Sequence, residues 1–221
     1  MSVMTYSLEG DVAILAFDDG KANAVSHAFI DAMNEGLDAA LKEAKAVVIS
    51  GRAERFSAGF DLSEFKKGPE ATATLLNRGT EMFYRLFAHP QPVIAACTGH
   101  AIAAGGFLLL ACDTRIGTSG DYKIGLNETA IGMSFPVFGH ELANSRISKR
   151  HLTAVLLQAT LYDPAGAIDA GFLDEAVAAE ELQAHSVAIA AQLAQLPADA
   201  YAQNKQDIRA QSLQRIKDSI R

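Results

Sequence analysis

The small residues between positions 99 and 106 are the first part of the sequence whose types and spacing could do chemistry. They follow residues 92–96, an apolar run typical of a buried strand, and precede residues 107–111, which are typical of a buried helix. Alanine and glycine let a ligand come close to the backbone, and the first amides of a helix have no acceptor within it. The pattern therefore predicts a turn whose free N–H groups, at the positive end of a helix dipole, face a bound group.

This small-residue turn has other interpretations. Close packing of the helix on the strand, without a ligand, would need small residues as well. A phosphate-binding loop is disfavoured because no Lys-Ser or Lys-Thr pair follows the glycines, and a dinucleotide fingerprint is disfavoured because its three spaced glycines are absent. The turn by itself leaves ligand binding and plain packing open.

Composition and charge limit the classes of function. The chain has 221 residues, 49% of them hydrophobic, and a formal net charge of -7. The acidic balance argues against a nucleic-acid partner and against an anionic membrane surface. The N-terminus has no basic start or apolar signal core, and no apolar run is long enough to span a bilayer. We therefore expect a cytoplasmic protein.

Metal and nucleophile chemistry find no support in the residue pattern. His and Cys residues do not cluster with metal-ligand spacing, and no Ser-His-Asp arrangement stands out. Cys97 and Cys112 both lie in apolar surroundings, which predicts buried thiols of a reducing compartment rather than a disulfide.

The elements that must position the small-residue turn indicate an α/β protein. Residues 4–8 and 11–17 predict a hairpin, Ser26 predicts the N-cap of a helix reaching about Lys45, and residues 47–49 predict a buried strand. This alternation of strands and helices is typical of an α/β fold. Asp61 is predicted to cap a further short helix.

The second half of the chain is predicted to be more helical. Ser148 is predicted to cap a helix that continues through Leu161, and Asp163 to begin another, which Gly171 ends. Beyond about residue 178 the composition becomes rich in Ala, Gln and charged residues. We therefore divide the chain into a core, residues 1–178, and a C-terminal helical region, residues 179–221.

Three stretches together carry a resemblance to a known family. The first reads F-S-A-G-F-D-L from Phe56, the second runs from G-H-A at Gly99 to L-A-C-D, and the third reads I-G-L-N-E-T from Ile124. In this order they resemble the crotonase (enoyl-CoA hydratase/isomerase) superfamily, and the similarity extends to about Val177. The run G-L-N-E-T is more similar to the Δ3,Δ2-enoyl-CoA isomerases than to the hydratases.

The resemblance implies a crotonase-like spiral of ββα units followed by a C-terminal helical trimerisation region. It implies an acyl-CoA thioester as substrate, handled through an enolate, and a homotrimer or a dimer of trimers. Coenzyme A would enter as part of the substrate, so no separate cofactor is expected. The resemblance implies a further helix or two after the position of Arg221, so we expect a shortened C-terminus here and a changed acyl pocket.

The resemblance also implies roles for individual residues. The backbone amides of Phe60 and Ala104 match the family's oxyanion hole, and Glu128 matches its acid/base glutamate. The resemblance implies that hydratases of this family use two glutamates. Glu128 matches one of them, but Phe107 stands at the position of the other. Moving a double bond needs one carboxylate, so this pair favours an isomerase. Without the resemblance, Glu128 reads as a first-turn carboxylate that stabilises a helix dipole.

A set of residues matches the family's substrate and CoA loops by position: Ala22, Ala24, Ser57, Ala58, Gly59, Gly105 and Phe107. Lys21, Arg52 and Arg55 could meet CoA phosphates, although ordinary solvated charges explain them equally well. His100 and Asp113 are predicted to be structural.

Three hypotheses remain open from the sequence. The first is an enoyl-CoA isomerase that uses Glu128. The second is another enolate enzyme of the same fold, such as a hydratase with a displaced second acid or a thioester hydrolase. The third is a non-catalytic acyl-CoA-binding relative, which Glu128 argues against.

Overall fold

A six-stranded sheet forms the centre of the structure, a computed structural model that describes residues 3–220. Its strands, in spatial order, are β1 (Met4–Glu9), β2 (Val12–Phe17), β3 (Ala46–Ser50), β5 (Val93–Cys97), β7 (Thr114–Thr118) and β10 (Glu175–Val177). β1 and β2 form the predicted antiparallel hairpin, and all other neighbours are parallel. Residues 1, 2 and 221, the outer limits of the two predicted regions, lie outside the described residues.

A second sheet is interleaved with the first along the chain. Its strands, in spatial order, are β4 (Glu54–Ser57), β6 (Gly99–Ile102), β8 (Ile124–Gly125) and β9 (Leu161–Tyr162). After each of β3, β5 and β7 the chain adds one strand to this second sheet and then turns into a helical segment. Three successive turns of this kind make the predicted spiral of ββα units.

Helices fill the space around both sheets. The α-helices are α1 (His27–Glu43), α2 (Leu62–Phe65), α3 (Pro69–Phe87), α4 (Ala104–Ala111), α5 (Val137–Arg146), α6 (Leu152–Leu156), α7 (Pro164–Ala170), α8 (Leu182–Leu193) and α9 (Ala198–Ser219). Three of the predicted helix starts are confirmed, because Ser26, Asp61 and Asp163 each accept a hydrogen bond from a backbone amide of the first turn.

The strands β2, β3 and β5 of the first sheet are buried on both faces, which explains their continuous apolar sequences. Val47 and Ile49 of β3 face the main core with α1 and α3, whereas Ala46 and Val48 face a smaller cluster that includes Leu182 of α8. α9 lies against α3 and α5 and buries its Leu213 and Ile216. Among the described helices, none is both long and apolar enough to cross a membrane.

The helix predicted from Ser148 through Leu161 is wrong in its bounds. α6 spans only Leu152–Leu156, with His151 at its N-cap position. Ala159 has a φ of 52°, which no helix continues through, and Leu161 instead pairs with Gly125 at the edge of the second sheet. Pairing with β8 therefore overrides the helical spacing of the apolar residues.

Candidate active site

A pocket of about 230 Å³ lies between α2, the start of α4 and the segment that follows β8. Its walls are mostly apolar and include Phe60, Phe107 and Phe138, whereas Asn127, Glu128 and Ser134 are polar. A larger groove of about 530 Å³ beside the α8–α9 turn has no buried carboxylate in its lining. The smaller pocket is therefore the better candidate for chemistry, because it combines apolar walls with a few convergent polar groups.

Glu128 is the one acidic residue in the lining of this pocket. It is only 6% exposed, and its Oε2 has no hydrogen-bond partner among the described residues. Burial raises the pKa of its carboxyl group to about 7, although the backbone amides of Glu128 and Asn127 oppose part of the effect. A carboxyl group with such a pKa can both take and return a proton near neutral pH.

Three hydrogen bonds hold the backbone turn that begins at Glu128. Glu128 precedes a 3₁₀ turn, Thr129–Ile131, and its carbonyl oxygen accepts hydrogen bonds from the amides of Ile131 at 3.1 Å and Met133 at 2.9 Å. The Thr129 hydroxyl donates to the carbonyl oxygen of Leu156 at 2.8 Å. The bond from Thr129 anchors the turn to the end of α6, and the other two close the turn itself.

Two backbone amides meet where the first and second turns of the spiral come together. An ideal Cβ at Gly59, whose φ is 99°, would lie 2.9 Å from the Ala103 Cβ and 3.4 Å from the Ala104 nitrogen. Only glycine allows this approach. Within residues 3–220, neither the Phe60 nor the Ala104 amide donates to an acceptor. Together they form a pair of free donors beside the pocket.

Hydrogen bonds made by neighbouring residues set the direction of each of these two amides. Val25 donates to the Gly59 carbonyl at 2.8 Å and accepts from the Asp61 amide at 3.2 Å, so the intervening Phe60 N–H faces away from Val25. Ala103 has a φ of 53°, an uncommon conformation for alanine, and its amide donates to the Gly125 carbonyl at 3.0 Å. This strained residue starts α4 and sets the direction of the Ala104 amide.

Phe107 closes one wall of the pocket. It is 1% exposed, and its ring contacts Phe83, Phe135 and Phe138 edge to face at centroid distances between 5.2 and 6.1 Å. A water molecule held at this wall would lose hydrogen bonds, because the ring offers none. This wall of the pocket is therefore apolar.

The residues predicted for the CoA loops fall into two groups. Ala58 lines the pocket, and its amide donates to the Ala22 carbonyl at 3.0 Å, so the loop that carries Ala22 and Ala24 lies beside it. Ser57 and Gly105 lie behind the wall. The Ser57 hydroxyl donates to the Asn23 carbonyl at 2.7 Å, and a Cβ at Gly105 would meet the Ser57 carbonyl oxygen at 2.2 Å. Close packing therefore accounts for Gly105.

Asn23 is a structural residue that the sequence reasoning missed. It is 1% exposed and has a φ of 50°, and its side-chain amide donates to the carbonyl oxygens of Phe17, Arg55 and Phe56 at 2.9 to 3.4 Å. These bonds tie the loop of Ala22 and Ala24 to β4. The signal was an asparagine after Asp-Asp-Gly, since asparagine tolerates a positive φ.

The remaining charged candidates are held by local contacts. Arg52 donates to the Lys21 carbonyl at 2.7 Å and lies 3.3 Å from Asp18, while Lys21 and Arg55 are exposed. His100 accepts from the Lys123 amide at 2.9 Å, and Asp113 accepts from the Val93 amide at 2.8 Å. Both of these bonds are structural.

Neither metal binding nor thiol chemistry has a site within residues 3–220. No group of three or more His, Cys, Asp or Glu residues could hold a metal ion there. Cys97 and Cys112 are fully buried, and burial raises the pKa of each thiol to about 12. Both thiols therefore stay protonated near neutral pH and are unreactive.

Comparison with family models and known proteins adds an independent line of evidence. Residues 8–220 match the model of the family described as enoyl-CoA hydratase/isomerase. A solved structure of an enoyl-CoA hydratase/isomerase family protein from Pseudomonas syringae superimposes with a TM-score of 0.96. It is 40% identical, and the match covers 99% of this chain and 95% of that one.

Two curated relatives bear different activity names. A probable enoyl-CoA hydratase of Bacillus subtilis is 34% identical over 137 residues, which cover 60% of this chain and 53% of that protein. The human mitochondrial enoyl-CoA delta isomerase 1 is 29% identical over 192 residues, which cover 84% of this chain and 63% of that protein. The chain thus spans less than two thirds of the length of either relative.

Proposed function

Because the chain belongs to the enoyl-CoA hydratase/isomerase family, we propose that it shifts the double bond of a 3-enoyl-CoA thioester to give the 2-enoyl-CoA. The observation that carries this proposal is the pairing of one buried carboxylate with an apolar facing wall. Glu128 has a pKa near 7, and Phe107 lines the same pocket. The family relationship supports acyl-CoA chemistry, and this pairing supports the choice of reaction.

The proposed reaction has two proton transfers through one residue. The ionised Glu128 takes a proton from C2 of the thioester, and the electron pair moves onto the carbonyl oxygen to form an enolate. The same carboxyl group then returns the proton to C4 as the double bond moves to C2–C3. Proton and charge balance, so no cofactor and no added water is consumed.

The enolate oxygen would be stabilised by the amides of Phe60 and Ala104. Neither donor has an acceptor among residues 3–220, and Ala104 opens α4, so the positive end of that helix dipole faces the same point. A fixed donor of this kind contributes about 10²–10³ to the rate when it faces developing charge.

Coenzyme A would lie along the backbone of the loops at positions 22–24 and 57–59, with Ala58 at the edge of the pocket. In this proposal CoA binds as part of the thioester substrate rather than as a separate cofactor. We also propose a homotrimer or a dimer of trimers as the working assembly, with contacts through the C-terminal helices.

The direct test measures turnover of 3-enoyl-CoA by the wild type and by two variants. The wild-type protein should convert 3-enoyl-CoA to 2-enoyl-CoA, and Glu128→Gln should lose this turnover while keeping thioester affinity within a few-fold. Glu81→Gln, which changes an exposed glutamate on α3, is the matched control and should behave as wild type. Substantial turnover by Glu128→Gln would remove Glu128 as the base.

Hydration of 2-enoyl-CoA is the rival activity, and the names of the relatives include it. If the Phe107 ring excludes water, the wild type should exchange the α-proton of a thioester with solvent deuterium yet add little water to 2-enoyl-CoA. Phe107→Glu should gain weak hydratase activity, with lower stability because a carboxylate is then buried among aromatic rings. Fast hydration by the wild type would contradict the proposal.

A further inference from the structure

The acyl group of the proposed substrate has to lie in the pocket that holds Glu128. Apart from the polar residues named above, the walls of this pocket are apolar and include Leu76, Met133 and Phe135. Such walls favour an alkyl chain, because each methylene group that is fully buried improves affinity about fourfold. The number of methylene groups that fit therefore decides which acyl chains bind well.

The volume of the pocket limits that number. A water molecule takes about 30 Å³ in the liquid and a methylene group is of similar size, so a pocket of about 230 Å³ holds roughly seven or eight non-hydrogen atoms. One of these atoms is the carbonyl oxygen of the thioester. The pocket can therefore enclose roughly the first six or seven carbons of an acyl chain.

Two aromatic rings of the pocket wall each pack against a helical glycine. A Cβ at Gly79 of α3 would lie 2.6 Å from Cε1 of Phe60, and a Cβ at Gly139 of α5 would lie 2.8 Å from Cζ of Phe107. Neither glycine has a positive φ, so the backbone does not require glycine there. Glycine also weakens a helix relative to alanine. The close approach of the two rings accounts for both glycines.

The protein interior beside these two rings is already filled. Phe83 is fully buried and lies edge to face with Phe60 at 6.3 Å and with Phe107 at 6.1 Å between ring centroids. Phe138 stacks on Phe83 at 4.7 Å. Because such an interior is densely packed, a methyl group added at either glycine would turn the adjacent ring toward the pocket. The glycines thus keep the two rings out of the space that an acyl chain would use.

We propose that the substrate carries a medium-length acyl chain, of which the pocket encloses about the first six or seven carbons, and that Gly79 and Gly139 set this limit through the rings of Phe60 and Phe107. The inference rests on the proposed function, because it takes an acyl-CoA thioester as the ligand. The two glycines determine specificity and take no part in the proton transfers.

The first experiment measures the Kd values of butanoyl-, hexanoyl-, octanoyl- and dodecanoyl-CoA by titration calorimetry. These saturated thioesters have no double bond to move, so binding is read independently of turnover. In the wild type, Kd should fall about fourfold per methylene from butanoyl to hexanoyl, and by less than about twofold in total from octanoyl to dodecanoyl. A Kd that falls at one rate through dodecanoyl would overturn the limit, and equal values for butanoyl and octanoyl would show that the chain lies outside the pocket.

Gly139→Ala tests the role of the glycines. Its methyl group should turn the Phe107 ring into the pocket, so octanoyl-CoA should bind about tenfold more weakly while butanoyl-CoA stays within about twofold. Gly36→Ala on α1 is the matched control, because a Cβ there would lie 2.6 Å from Leu15, which does not line the pocket. The control should also lower Tm but keep the wild-type dependence on chain length. An unchanged ratio of octanoyl to butanoyl affinity in Gly139→Ala would contradict the proposal.

Leu76→Ala tests the same limit in the opposite direction, and it applies even if alanine at position 139 prevents folding. Leu76 is half-buried and lines the pocket, so the smaller side chain should make room for about two more methylene groups. Affinity should then keep increasing up to decanoyl-CoA. A profile identical to that of the wild type would argue against a limit set by the pocket walls.

Turnover separates a failure of this inference from a failure of the proposed function. A wild type that shows the expected binding profile but leaves 3-enoyl-CoA unconverted would keep the chain-length limit and remove the isomerase assignment. A wild type that converts 3-enoyl-CoA thioesters of every length with the same kcat/KM would keep the isomerase assignment and overturn the limit.

Discussion

Glu128 combines a buried position with a carboxyl group that is half ionised near neutral pH. Its ordinary pKa is 4.5 and its folded pKa is about 7, so the folded protein binds this proton more tightly than the unfolded chain does. The resulting stabilisation is complete below pH 4.5 and is lost as the pH rises through about 7.

Glu128→Gln should therefore stabilise the protein in a pH-dependent way. Above pH 7, where the buried carboxylate is charged in the wild type, the variant should gain roughly 2 to 3 kcal/mol of unfolding free energy. The gain should shrink to about 1 kcal/mol or less near pH 5. Urea unfolding at both pH values checks this, and a gain that grows on acidification would contradict the pKa direction.

The same ionisation should govern the proposed reaction. Because the base must be ionised in the free protein, kcat/KM for double-bond migration should rise with pH through an apparent pKa of about 7 and then level off. A profile that is flat between about pH 5 and 9 would indicate that another group takes the proton.

At the residue scale, the sequence predicted more of the pocket than of its support. Glu128, Phe60, Ala58 and Phe107, which the family resemblance had grouped, line one pocket, and their roles in it stay predictions. The supporting role of Asn23 was missed because the local sequence signals only its positive φ, whereas two of its three acceptors, the carbonyl groups of Arg55 and Phe56, are distant in sequence.

At the element scale, the apolar strands of the first sheet were predictable, whereas most strands of the second sheet were not. β3 and β5 are apolar runs, whereas β6 is only four residues long and starts at Gly99, where a Cβ would lie 2.1 Å from the Glu54 carbonyl oxygen. Glycine is required there by the neighbouring strand. Such a strand has no apolar signal of its own, because pairing across the spiral defines it.

The turn between β4 and α2 offers a test of the two amides. Gly59→Ala places a methyl group against Ala103 at a φ of 99°, so it should move the Phe60 amide away from Ala104. We expect kcat for double-bond migration to fall about 10- to 1000-fold, the range for losing part or all of one donor.

Gly68→Ala is the matched control for this test. Gly68 also has a positive φ, 115°, but nothing lies within 4 Å of a Cβ there. The control should lose about 1 kcal/mol of stability and keep its kcat. Equal kcat values for the two variants would argue against the amide of Phe60 as a donor.

At the scale of the whole molecule, α9 is attached to the core through buried charges as well as apolar contacts. Lys205 donates to the carbonyl oxygens of His89 and Gln91, both at 2.7 Å, and to Asp113. Burial by itself raises the pKa of Asp113, but Lys205 and Arg209 outweigh it and hold the pKa below its ordinary value. The sequence predicted the helix but not this anchor, which joins residues far apart in the chain.

Lys205→Met should consequently weaken the whole fold. It leaves two carbonyl groups and part of the Asp113 charge without a donor, so the unfolding free energy should fall by about 3 kcal/mol or more. Lys217→Met, on an exposed position of the same helix, should change it by less than about 0.5 kcal/mol. Chemical denaturation of both variants checks the difference, and equal stabilities would show that Lys205 is not an anchor.

The proposed trimer also belongs to this scale. Ile208 on α9 is 81% exposed and Leu157 after α6 is 68% exposed, which is unusual for large apolar side chains. Burial of such residues between copies would favour association, and light scattering at micromolar concentration should report the mass of a trimer or of a dimer of trimers. A monomer would contradict the prediction.

The three groups of the proposed site lie on three successive turns of the spiral: Phe60 follows β4, Ala104 follows β6, and Glu128 follows β8. Parallel pairing between such distant segments forms slowly, because each long loop must close before its contacts can form. The site is therefore assembled only when the third turn has docked. During refolding from urea, turnover should return with the slowest spectroscopic phase. The rate at which activity returns would then report the rate of the last folding step.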